Sequence, residues 1–169
     1  MATATYVPIA TQTLGSSSSL VTFSSIPSTY TDLKLVMSLT ATGVYLNTNL
    51  VFNTDNGSTG TSYSYTWLSG NGTALNAGAN NNQSYMTIGS INNSTSTTIP
   101  NICVVDIFSY ANTSIYKTVT SLNALDKSGS GDSSTFLNTW RSTAAVNTVK
   151  ILPGGNSFAT GSTFTLWGI

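Results

Sequence analysis

Gly161-Ser162-Thr163-Phe164-Thr165-Leu166-Trp167-Gly168-Ile169 is the stretch whose reading decides the fold. Phe164 and Leu166 fall on one side of an extended chain; Thr163, Thr165 and Trp167 fall on the other. Thr, Phe, Leu and Trp suit a pleated, half-buried surface. An apolar strand near a chain end has to pair, because loose termini are polar and frayed. The segment is therefore expected inside a sheet whose other members lie earlier in the chain.

The composition points the same way. The 169 residues include 26 Ser, 29 Thr and 17 Asn, with five Asp and no Glu or His. Charged residues make up 6%, against about 25% in ordinary soluble domains. Ser, Thr and Asn compete with the helical backbone through their side chains, whereas Thr does well in strands. An all-β single domain follows, long enough to bury a core without cross-links. A net charge of zero gives no electrostatic hold on phosphates, so no nucleic-acid partner is expected. It also gives little protection against self-association.

Outward from the closing strand, period-two alternation recurs. Residues 1–14 read as an N-terminal edge strand or an arm, and 15–169 as one β-sandwich domain. Residues 20–24 form a short strand, which Pro27 ends. Residues 32–40 put Leu33, Leu35, Met37 and Leu39 on one face. Residues 45–53 follow, with Leu46, Leu50 and Phe52 together. Asn56-Gly57, within a polar turn at 54–61, carries a hairpin signal. Residues 62–68 align Tyr63, Tyr65 and Trp67. Residues 69–83 read as a long Gly/Asn/Ala loop, 85–91 as a strand and 92–100 as a polar loop. Residues 102–110 are apolar on both faces, as in a strand covered on both sides or packed against a subunit. A turn at 111–114 leads into 115–125. If Tyr110 opposes Ile115, Asp106 and Lys117 become same-face neighbours and pair. Residues 127–134 read as a loop holding Asp132, and 135–142 and 146–152 as strands. About nine or ten short strands make an antiparallel β-sandwich or barrel.

The chemistry is sparse. Without His or Glu, a Ser–His–Asp arrangement and histidine zinc sites cannot form. Cys103, the only cysteine, sits in an apolar run and reads as a buried small hydrophobe. Asn53-Thr54-Asp55-Asn56-Gly57 faintly resembles a calcium loop, but no acidic residue closes it. No catalytic, cofactor or metal site is expected, and the chain is read as non-enzymatic. No apolar run approaches the roughly 18 residues of a membrane span, and the N-terminus lacks the pattern of a secretory signal. Tyr63, Tyr65 and Trp67 are the candidate contacts, either with glycans or with another protein.

Three motifs stand out: Val21-Thr22-Phe23-Ser24-Ser25-Ile26-Pro27 with Tyr30-Thr31-Asp32-Leu33; Asp106-Ile107-Phe108-Ser109-Tyr110-Ala111-Asn112 with Lys117; and residues 156–169 with their Gly161–Ile169 ending. Together they resemble a family of small bacteriophage virion proteins. The resemblance implies a jelly-roll-like sandwich located in the virion. Such modules decorate capsids, form short head fibres or sit at the tail, usually as oligomers. The near-zero charge, the sparse chemistry and the small single domain favour a capsid decoration or cement protein bound as a homo-oligomer, a trimer, to the major capsid protein. The alternative is a tail-fibre or receptor-binding module that recognises host surface glycans.

Overall fold

The computed structural model describes residues 5–43, 46–91, 99–126 and 131–169. Residues 1–4, 44–45, 92–98 and 127–130 lie outside them, and with them parts of the expected N-terminal segment, of the strand over 45–53 and of the loops over 92–100 and 127–134. Twelve strands and no helix are described: β1 (Val7–Thr13), β2 (Val21–Phe23), β3 (Leu33–Leu39), β4 (Leu46–Phe52), β5 (Tyr63–Gly70), β6 (Leu75–Gln83), β7 (Met86–Ile91), β8 (Asn101–Phe108), β9 (Lys117–Asp126), β10 (Gly131–Trp140), β11 (Val149–Pro153) and β12 (Thr163–Gly168). All pairings are antiparallel.

An eight-stranded sheet runs β1-β12-β3-β8-β9-β10-β5-β6, and a four-stranded sheet runs β2-β11-β4-β7. The closing strand β12 lies between β1 and β3, so it is an inner strand, and β1 is an edge strand. Four of the pairs are β1·β12, β2·β11, β3·β8 and β4·β7. This is one long hairpin whose successive rungs alternate between two sheets, the connectivity of a jelly roll. The remaining strands are two inserted hairpins, β5–β6 and β9–β10. They pair with each other through β5·β10 and extend the larger sheet sideways into a wing.

Alternation sets the faces. Leu33, Leu35, Met37 and Leu39 point inward with Cys103, Val105, Ile107, Phe164 and Leu166, all fully buried. Val21, Phe23, Leu50, Phe52, Val149 and Ile151 meet them from the smaller sheet. Each such buried side chain contributes about 1.5–3 kcal/mol over its exposed state. Trp140 packs edge-on to Phe52 at 5.2 Å, and Phe158 meets Phe164 at 5.2 Å.

The structure corrects four expectations. Residues 75–83 are strand β6 rather than loop, and residues 131–134 belong to β10, so Asp132 is a strand residue. The turn at Asn56-Gly57 does not make a hairpin, because β4 and β5 belong to different sheets. There Asn56 Oδ1 accepts from the Ser58 N–H at 2.9 Å and Gly57 adopts φ 77°, steering the chain from one layer to the other. Of the two alternatives for β8, cover on both faces from within the chain is not seen, since Ile102 and Phe108 stay exposed on its outer face.

The fourth correction is the ion pair. Asp106 opposes Thr120, one residue out of the expected register, and a one-residue slip moves a side chain to the opposite face. Lys117 therefore points inward, fully buried, and donates to Ile115 O at 2.8 Å and Thr143 O at 3.3 Å. Asp106 pairs instead with Lys34 across β3–β8.

Candidate functional site

The inserted wing carries a cleft on its inward side. β5 supplies Tyr65 and Trp67, two residues apart and hence on one face. Opposite them on β10 stand Asn138 and Phe136, and on β6 stand Asn80 and Gly78. Gly78 makes room for the Trp67 ring. A Cβ there would meet indole Nε1, Cε2 and Cζ2 at 2.9, 3.0 and 3.1 Å. That side of the indole therefore packs against β6 where no side chain stands. Tyr65 packs edge-on to Phe136 at 6.3 Å. Aromatic rings fixed by such contacts make a rigid floor.

The polar side of the cleft comes from both sheets. Asn76, Asn80, Asp132 and Ser134 belong to the wing, while Asn47, Thr87 and Ser90 come from β4 and β7. The enclosed space is about 410 Å³, inside the range of small-molecule sites, roughly 300–1,000 Å³. Among the described residues, Asp132 is the one charged residue on its lining.

Behind the floor lies a buried polar seam. Ser121, Asn123, Ser134 and Asn138 occupy inward positions of β9 and β10 and are at most 7% exposed. Ser121 Oγ, Asn123 Oδ1, Ser134 Oγ and both amide atoms of Asn138 have no hydrogen-bond partner among the described residues. Buried polar atoms are nearly always paired, and an unpaired one costs about 1–3 kcal/mol. Five such atoms gathered on two adjacent strands set this zone apart from the apolar core. β7 closes over it: a Cβ on Gly89 would meet Asn123 Oδ1 at 2.7 Å.

Of the three aromatic residues singled out in the sequence, the structure brings Tyr65 and Trp67 together at the cleft and removes Tyr63. Tyr63 is 1% exposed and stacks near Trp140, ring centroids 6.2 Å apart. Its hydroxyl accepts from the Phe52 N–H at 3.0 Å and donates to Asp55 Oδ2 at 2.5 Å. Burial, then the Asp55 bond, push its pKa well above the ordinary tyrosine value. Asn47, Thr87 and Ser90 carried no sequence signal, since only the packing of the two sheets puts them opposite β5. Asn76 and Asn80 were missed because the segment holding them reads as a Gly/Asn/Ala loop, with no apolar alternation to mark a strand face.

Among the described residues no group of three or more His, Cys, Asp or Glu side chains lies together. No protein-family model matches the chain, and neither a curated protein nor a solved structure matches it.

Proposed function

We propose that the chain is a non-enzymatic virion structural protein, a capsid decoration or cement protein that attaches to the major capsid protein as a homotrimer. The observation that carries this reading is the outer face of the eight-stranded sheet. Val36, Val104 and Leu122 stand directly opposite one another across β3, β8 and β9. Ile102, Leu137 and Leu68 flank them. Leu68, Leu122 and Leu137 are each more than half exposed. A contiguous apolar face of this kind on a domain with so few charges marks a protein contact surface. The jelly-roll connectivity is in keeping with it, as that architecture serves in viral capsids and in lectins; fold analogy alone would not decide function.

The test combines mass and location. Size-exclusion chromatography with light scattering should give a trimer for the wild type and a monomer for Leu122→Lys combined with Leu137→Lys. The wild type should also co-sediment with the head fraction of purified particles. A monomeric wild type that is missing from heads would end this reading.

A further inference from the structure

We propose that the cleft under the β5–β6 hairpin is a binding site for a neutral saccharide. Trp67, packed against Gly78 and lining the cleft, offers an aromatic surface suited to the C–H face of a pyranose ring. Asn76 and Asn80 flank it on β6, each two residues from Gly78, and each is able to donate and accept towards vicinal hydroxyls. Ser134 lines the same cleft, is 7% exposed, and its Oγ has no partner among the described residues. A hydroxyl held unpaired at the wall of a cleft is a ready partner for a ligand hydroxyl.

The lining also says which ligands do not fit. Among the described residues no Lys or Arg borders the cleft, so none of them would neutralise a phosphate, sulfate or carboxylate held there. The amides and hydroxyls would be stranded by a purely apolar ligand. An uncharged, polyhydroxylated molecule with an apolar ring face satisfies both the floor and the walls. The site lies on the inner side of the wing, away from the outer face invoked for assembly, so either can fail without the other.

The experiment titrates the full chain with maltohexaose, cellohexaose and chitohexaose, with dextran sulfate as the anionic arm. Calorimetry and tryptophan fluorescence are the readouts. At least one neutral oligosaccharide should bind saturably. Trp67→Ala should weaken that binding by at least about tenfold, and Ser134→Val by about tenfold. Trp167→Phe, on the opposite face, should leave it unchanged. Should Trp67→Ala fail to fold, Ser134→Val decides. Absence of binding by all three neutral oligosaccharides overturns the proposal. So does binding that both cleft variants retain, or equal binding of dextran sulfate.

Discussion

Gly168 lies directly beneath the ring of Tyr30: a Cβ on Gly168 would fall 2.3–2.5 Å from three of the ring carbons. The contact joins the closing motif to the first one. Around it, Thr31 N–H donates to Ile169 O at 2.8 Å and Ile169 N–H to Asp32 O at 3.0 Å. The central motif arrives at the same place. Ser109 N–H donates to Asp32 Oδ1 at 2.6 Å, and the Tyr110 hydroxyl donates to Pro27 O. Three stretches far apart in sequence thus form one corner of the sandwich.

Gly168→Ala should accordingly destabilise the fold by about 1–3 kcal/mol, the usual cost of forcing atoms into a packed site. Urea denaturation measures it. Tyr30→Ala costs stability on its own, but the double variant should lose less than the sum of the singles, because the clash is gone. Strict additivity would show that the two residues do not interact as described.

Tyr63 bridges the sheets through its hydroxyl, with the Phe52 N–H on one side and Asp55 on the other. Tyr63→Phe keeps the ring packing and strands both partners. The expected loss is about 1–3 kcal/mol, read by denaturant titration. A change below about 0.5 kcal/mol would mean that the two partners find substitutes.

Where one face of a strand meets the core, the sequence announced it. Leu33, Leu35, Met37 and Leu39 alternate because the other side of β3 faces out, and Phe164 and Leu166 do the same in β12. β6 gave no such sign, since hardly any of its residues is buried and it is held by backbone pairing to β5 alone. The register of β8 on β9 was equally hidden: it depends on a turn whose length a run of Asn, Thr and Ser does not specify. Two of the three aromatic residues on the floor of the cleft were legible, Tyr65 and Trp67. Its far wall was not, because Asn47, Thr87 and Ser90 acquire their place only when the second sheet packs on the first.

Cys103 points into the core with no exposed surface, and its Sγ lies 3.4 Å from Ile88 O. Burial pushes its pKa up to about 12, so the reactive thiolate is scarce at neutral pH. Native protein should not react with a disulfide reagent at pH 8 over minutes, and one thiol per chain should appear on adding denaturant. Immediate reaction of the folded chain would contradict this burial.

Stability should respond to alkali in two opposing steps. The chain has no His, so no side chain has an ordinary pKa between pH 5 and 8, and the denaturation midpoint should be flat from about pH 6 to 8. Burial lowers the pKa of Lys117. The folded state therefore holds that proton less tightly than the unfolded state, and stability rises as pH climbs towards the ordinary lysine value near 10.4. Burial raises Cys103, Tyr63 and Tyr110. Their protons are held more tightly in the folded state, so the stability they confer is lost as pH rises above the ordinary values, near 8.5 for the thiol and near 10 for the tyrosines. Lys117→Met should remove the rising contribution, and Cys103→Ala and Tyr63→Phe should each make the fall shallower. A profile above pH 8 that none of the three substitutions changes would place the titrating groups elsewhere.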